Sequence, residues 1–222
     1  MSTIKLTQEF INKNHRADKT KREALELFLR FLKVHGGQDI TPEMIDFFLA
    51  FWIPKYKNHL DEAQSLYVVQ AIDDLMEYIS EQQDVAYSLE LLELYKIEYA
   101  RLYKTKQMIA NLSGYPVISY NPMVINLNSY KAYKRKRDKK EGLCTYEAGH
   151  FVVQEINKDG YIVLKKMALN KFYKVSFRPK LLHHFKLGDV LHITLKKKLF
   201  LLHWEIDDII TYYPPKALSY LC

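Results

Sequence analysis

The sequence predicts an α+β protein in which an N-terminal all-α helical bundle is followed by a small C-terminal β-barrel. In residues 1–113, apolar side chains recur at the three- and four-residue spacing of helical faces. From residue 147 onward, short apolar runs alternate with polar residues and turn signals, which indicates strands. The charge changes between the halves: residues 1–113 carry 14 basic and 17 acidic residues, and residues 114–222 carry 19 and 9. The excess positive charge therefore belongs to the C-terminal half.

The first half is expected to hold four main helices. The clearest start is at Thr41 and Pro42, where a capping side chain precedes a proline at the first helical position. The helix that follows, Met44 to Ile53, is apolar on nearly all sides, as in the centre of a bundle. The other three are expected around residues 25–32, from residue 61 to 80 and from residue 88 to 111.

A basic connecting segment is expected over residues 114–146, between the helical bundle (1–113) and the barrel domain (147–222). Gly114, Pro116 and Pro122 interrupt helical periodicity at its beginning. Residues 131–140 then contain seven basic residues and one acidic residue, with nothing apolar enough to hold them in a core. This run is therefore predicted to lie in solvent.

The barrel domain is expected to contain five short strands. The Asn157–Gly160 stretch suits a tight hairpin turn in which Gly160 takes a positive φ. The strands are predicted at residues 150–156, 161–164, 172–177, 190–195 and 199–206, with one or two helical turns at 179–185. At the level of the fold, residues 147–210 resemble the OB-fold and SH3-like barrels. This resemblance implies a small closed or nearly closed barrel.

The basic run is the strongest indication of function, because closely spaced cations bind a nucleic-acid backbone by releasing its counterions. Neighbouring tyrosines would suit single strands, whose bases can stack on them. Barrel lysines on strands would extend the surface, although such lysines also serve as gatekeepers at sheet edges. The candidate nucleic-acid-binding residues are Tyr130, Lys131, Tyr133, Lys134, Arg135, Lys136, Arg137, Lys139, Lys140, Lys165 and Lys174.

Other interpretations of the basic run and of the barrel residues stay open. The basic run could be a solvated linker, or it could contact an anionic membrane surface or an acidic protein. If Lys197 and Lys198 form a two-residue turn, His192 lies opposite His203 and the pair becomes a candidate metal or acid–base site. The aromatic residues Phe172, Phe177, Phe200 and Trp204 are expected to be core residues rather than surface platforms.

The expected function is therefore a non-enzymatic, cytoplasmic nucleic-acid-binding protein. The chain has no GxGxxG, GxxxxGK[ST], GxSxG or HExxH motif, so no catalytic residue, metal or cofactor is expected. It has two cysteines, which exclude a disulfide framework, and no apolar run of membrane-spanning length, so no membrane partner is expected. The helical half could bind a protein partner or a second copy. In the alternative function, a protein-interaction scaffold, the basic run is only a linker.

Overall fold

The computed structural model of the chain describes residues 2–14, 19–35, 40–83, 89–113 and 143–221. It divides into two units: Met1–Lys104 with Ser219–Cys222, and Thr105–Leu218. Its helices are α1 (Thr3–Lys13), α2 (Lys19–His35), α3 (Pro42–Phe47), α4 (Ile53–Tyr56), α5 (Glu62–Gln83), α6 (Leu89–Ser113), α7 (Pro179–Leu182) and α8 (Leu218–Leu221). None of the helices in the described ranges is both long and apolar enough to cross a bilayer.

The α3 helix begins at the predicted cap. Thr41 is extended, and its Oγ1 accepts a hydrogen bond of 3.3 Å from the Met44 amide, while Pro42 occupies the first turn. A capping oxygen satisfies one of the amides that a helix leaves unpaired at its start. The sequence prediction for this start is confirmed.

A π-helical turn, Phe48–Trp52, joins α3 to α4 without a break. In this turn the Ile53 amide donates to the Phe48 carbonyl, five residues back. The next carbonyl, that of Leu49, would receive the amide of residue 54, but Pro54 has no N–H. The Tyr99 hydroxyl of α6 donates to the Leu49 carbonyl instead, at 2.6 Å. A side chain from another helix thus replaces the missing backbone donor.

The core of the first unit is an aromatic cluster between α2 and the π-helical turn. The rings of Phe28 and Phe31 lie 4.8 and 5.3 Å from that of Phe48, and none of the three side chains is exposed. Edge-to-face and tilted pairs of this kind favour one packing arrangement beyond the burial of their area. The α1, α2 and α5 helices pack against one another around the same unit.

The last residues of the chain belong to this helical unit. The buried carboxylate of Asp46 accepts hydrogen bonds from the hydroxyls of Tyr95, at 2.7 Å, and of Tyr220, at 2.8 Å. Partial burial and the neighbouring Asp46 raise the pKa of Tyr220 to about 12. The α8 helix is thereby bonded to Asp46, 174 positions earlier in the sequence.

The strands form one antiparallel sheet in the order β3-β2-β1-β4-β5. The α+β class and the helices-then-sheet order are confirmed; the closed barrel is not, because no ladder joins β3 to β5. A single parallel bridge links Val175 of β3 to Trp204, just before β5. The strands are β1 (Cys144–Asn157), β2 (Tyr161–Lys166), β3 (Lys171–Ser176), β4 (Val190–Lys198) and β5 (Glu205–Tyr213).

The turn between β1 and β2 forms as predicted. Gly160 has a φ of +95°, and the Asn157 side-chain oxygen accepts a hydrogen bond of 2.7 Å from the Asp159 amide. Only glycine adopts that φ readily, and the asparagine oxygen mimics a backbone turn acceptor.

The predicted pairing of β4 with residues 199–206 is wrong. β5 begins at Glu205, and residues 199–204 form the connection between the two strands. A two-residue turn needs left-handed residues, which two lysines do not supply readily, so a longer loop forms. His192 consequently lies opposite Thr211 on β5, and His203 lies in the connection rather than across from it.

The expected core roles of the four aromatic residues also need correction. Phe172 is 58% exposed and Phe200 is 92% exposed, whereas Phe177 and Trp204 are half-buried. The apolar face of the sheet is built instead from alternating residues of β1 to β4, including Phe151, Val153, Ile162, Leu164, Tyr173, Val175, Leu191, Ile193 and Leu195.

Candidate nucleic-acid interface

The outward face of the β2–β3 hairpin carries the candidate site. Along each strand, successive side chains point to opposite sides of the sheet. Ile162, Leu164, Tyr173 and Val175 are buried and therefore define the inner side. The residues between them define the outer side, called here the hairpin face: Tyr161, Val163, Lys165, Phe172, Lys174 and Ser176.

The register brings cations and aromatic rings together on the hairpin face. Lys165 lies directly opposite Phe172, with its Nζ 6.0 Å from the centre of that ring. Lys174 lies opposite Val163, and its Nζ is 3.7 Å from the centre of the Tyr161 ring. Each ring thus has an ammonium group over or near it, at a distance typical of cation–π contacts.

The β1–β2 turn fixes the Tyr161 ring. The Asn157 side-chain amide donates a hydrogen bond of 2.7 Å to the Tyr161 hydroxyl, while the Asn157 oxygen accepts the turn amide of Asp159. The same asparagine therefore shapes the turn and holds the phenol. A ring held this way loses little freedom when a flat ligand stacks on it.

One carboxylate of β1, that of Glu155, lies on the strand next to the hairpin face. It lies opposite Val163 on β1 and is exposed. A carboxylate beside two lysines weakens the local positive potential. Removing its charge should therefore strengthen the binding of an anionic ligand to the face.

Lys166, next to Lys165 in sequence, does not belong to the hairpin face. Its Nζ lies 2.7 Å from the Glu147 carboxylate on β1 and 5.9 Å from the centre of the Phe151 ring. The hydrogen bond from Lys166 holds the pKa of Glu147 below its ordinary value, so the carboxylate is charged at neutral pH. Lys166 therefore serves the fold at this position.

The structure places two of the predicted binding residues, Lys165 and Lys174, on one face within two residue pairs of each other. The rest, Tyr130, Lys131, Tyr133, Lys134, Arg135, Lys136, Arg137, Lys139 and Lys140, lie outside the described residues. Sequence reasoning missed Phe172 as a surface group. The alternation of the strand could have identified it. Tyr173 and Val175 are buried, and Phe172, one and three positions before them, therefore lies on the opposite, outer side.

The histidine pair predicted from sequence is replaced by another. His192 lies opposite His150 on β1, with the two rings stacked at 4.3 Å between centres. Burial and the neighbouring His150 lower the pKa of His192 to about 4, so its ring is neutral at pH 7. In the part of the chain that the structure describes, no three His, Cys, Asp or Glu side chains come together as a metal site.

Comparisons with protein-family models, with curated proteins and with solved structures found no match to this chain.

Proposed function

We propose that this chain is a non-enzymatic, cytoplasmic nucleic-acid-binding protein whose second unit is an OB-like barrel. The observation that carries the proposal is the hairpin face, where two exposed or half-buried lysines alternate with two aromatic rings. The basic run at residues 131–140, seven of whose ten residues are cations, would extend the contact along the phosphate backbone.

The strand order supports an OB-like barrel. In that fold five strands form a partly open Greek-key barrel, and the face of strands 2 and 3 binds oligonucleotides. Here the order is β3-β2-β1-β4-β5, and Trp204 bridges the sheet's two ends. The Trp204 amide donates to the Lys174 carbonyl at 2.9 Å, and the Ser176 amide donates to the Trp204 carbonyl at 3.1 Å. These two bonds lie at the place where a ladder between β3 and β5 would close the barrel.

Single strands fit the hairpin face better than duplexes do. Bases stacked inside a duplex cannot reach a protein ring, whereas an unpaired base can lie on Phe172 or Tyr161. The lysine beside each ring would then neutralise a flanking phosphate. Neither group reads a base edge, so we expect little sequence preference.

The test is fluorescence anisotropy with a labelled single-stranded oligonucleotide at several salt concentrations. We expect Phe172→Ser to weaken binding by about 1 to 3 kcal/mol if one base stacks there. Lys165→Gln and Lys174→Gln should each reduce the slope of log K against log salt by about 0.7, the value for one phosphate on a single strand. Neutralising Lys134, Arg135, Lys136 and Arg137 should reduce that slope further without changing the melting temperature.

Two matched variants control this experiment. Lys180→Gln removes the same charge from α7, which contributes no residue to the hairpin face, and should leave the slope nearly unchanged. Glu155→Gln removes a carboxylate beside the face and should strengthen binding. Equal losses from Lys174→Gln and Lys180→Gln would show that only net charge matters, and the proposal for this face would then fail.

A protein-interaction scaffold is the second candidate function. Leu94 and Ile97, which lie one turn apart on α6, are 64% and 68% exposed. Exposed apolar neighbours on one helix face suit a protein partner. Partner binding that is insensitive to salt and lost in Leu94→Ser would favour the scaffold over the nucleic-acid function.

A further inference from the structure

The connection between β4 and β5 exposes a continuous run of apolar side chains. Leu199, Phe200, Leu201 and Leu202, called here the apolar loop, are all exposed, Phe200 by 92% and Leu202 by 84%. Leu143 is 78% exposed, and its carbonyl accepts a hydrogen bond of 3.2 Å from the Leu199 amide, so it adjoins the loop. Loops of water-exposed proteins are ordinarily polar, and a run like this marks an interaction site.

Two amides of the apolar loop donate hydrogen bonds to neighbouring backbone carbonyls. Besides the bond from Leu199 to Leu143, the Leu201 amide donates to the Lys198 carbonyl at 3.0 Å. These bonds form a turn that presents its side chains outward. They also lower the cost of moving the turn into a less polar medium, where unpaired amides and carbonyls are expensive.

Lysines outnumber carboxylates next to the apolar loop, which three lysines precede and the exposed Glu205 of β5 follows. Residues 196–204 contain three lysines and no acidic residue. Lys196 is buried and lies 3.4 Å from Asp207, whereas Lys198, next to the loop, is exposed. An apolar tip with cations at its base is complementary to a surface that is negative outside and apolar beneath.

The composition of the tip decides between the anionic surfaces that could meet it. Nucleic-acid bases stack on flat rings, and three of the four loop residues are leucines, which offer none. The boundary between headgroups and acyl chains accepts apolar side chains of any shape, and lysines near it are attracted by anionic lipids. A convex turn needs no shaped groove there.

We propose that the apolar loop inserts into the surface of an anionic lipid bilayer, with Lys197 and Lys198 at the level of the headgroups. This contact lies on the bilayer and does not span it, so it is compatible with the absence of a spanning helix in the described ranges. It revises the expectation, drawn from the sequence, that the chain has no membrane partner. It is independent of the nucleic-acid function proposed above.

The experiment is cosedimentation of the full chain with phosphatidylcholine vesicles, with and without phosphatidylserine. We expect binding that requires phosphatidylserine, weakens with salt, and falls by at least about tenfold in the double variant Phe200→Ser/Leu202→Ser. The matched control is Leu169→Ser/Leu187→Ser, which removes two exposed leucines from other turns and should bind as the wild type does. Lys198→Gln should weaken binding to the anionic vesicles only.

Four outcomes would overturn the proposal. They are no binding to anionic vesicles, equal binding by the loop variant, equal losses in the loop and control variants, and a lower melting temperature in the loop variant, which would mean that the chain itself covers the loop. Anisotropy with an oligonucleotide separates the two functions, because the loop variant should keep its nucleic-acid affinity. Loss of that affinity would assign the loop to nucleic acid, and loss of a concentration-dependent dimer in sedimentation would assign it to self-association.

Discussion

The Tyr99 hydroxyl donates a hydrogen bond of 2.6 Å to the Leu49 carbonyl, to which Pro54 has no N–H to donate. Tyr99 is completely buried, so this bond has no water to replace it. We expect Tyr99→Phe to lower the free energy of unfolding by about 1 to 3 kcal/mol, the cost of leaving a buried carbonyl unpaired. Urea unfolding followed by circular dichroism measures the change.

The control for this prediction is the same substitution in a Pro54→Ala background. Alanine restores an amide at residue 54, which can donate to Leu49 in the π-helical geometry. The cost of Tyr99→Phe should then shrink, and the difference between the two backgrounds gives the coupling. An equal cost in both would show that the Tyr99 hydroxyl does not replace the missing amide of residue 54.

Lys106 is predicted to destabilise the fold at neutral pH. It is 7% exposed, and burial lowers its pKa to about 8, against the attraction of Asp208. The unfolded chain keeps its proton to a higher pH than the folded chain, so stability rises between about pH 8 and 10.5. Lys106→Met should raise the unfolding free energy at pH 7 by up to roughly 3 kcal/mol, and the gain should vanish towards pH 10.5. A gain that does not depend on pH would contradict this origin.

The stacked histidines predict sensitivity to acid. The pKa of His192 falls from 6.5 to about 4 in the folded chain, so below pH 6.5 the unfolded chain takes up a proton that the native ring refuses. Stability should decrease as the pH falls from 6.5 to 4, by about 1 to 2 kcal/mol after allowance for partial solvent access. His192→Gln should flatten this part of the stability curve. His183→Gln, at an exposed site, should leave it unchanged.

Gly160 is a turn position where a side chain should be costly. Its φ is +95°, and an added Cβ would lie 3.3 Å from the Phe177 carbonyl oxygen. Gly160→Ala should lower the unfolding free energy by at least about 1 kcal/mol because alanine disfavours a positive φ. Gly160→Asn should cost less, since asparagine tolerates a positive φ better. Thermal unfolding of the two variants would rank them, and the reverse order would refute the backbone argument.

Local signals in the sequence were sufficient where one or two residues dictate the backbone. Thr41 with Pro42 predicts the start of α3, and Asn157 with Gly160 predicts the β1–β2 turn, because capping and positive φ depend on those residues alone. The mixed class followed from periodicity in the same way. Closure of the sheet could not be predicted, because it depends on how strands far apart in sequence twist together.

The partners of a strand were harder to predict than the strand itself. The sequence places His192 on a strand, but its neighbours depend on the length of the loop that follows, and a shift in that loop replaces His203 with Thr211. Phe200 illustrates the same limit: its hydrophobicity predicts burial, yet the turn carries it into solvent. For the candidate site, Lys165 and Lys174 were identified from charge, whereas Phe172 was missed because its hydrophobicity also predicts burial.

β1 is the strand on which both halves of the sheet depend. Phe151 and Val152 pair with Lys166 and Lys165 on β2 and also with Leu191 and Val190 on β4. Local opening of β3 or β5 leaves these pairs intact, but opening at Phe151 and Val152 breaks two ladders at once. The amides around these two residues should therefore exchange with solvent only when the whole second unit unfolds, while the edge strands exchange through smaller openings.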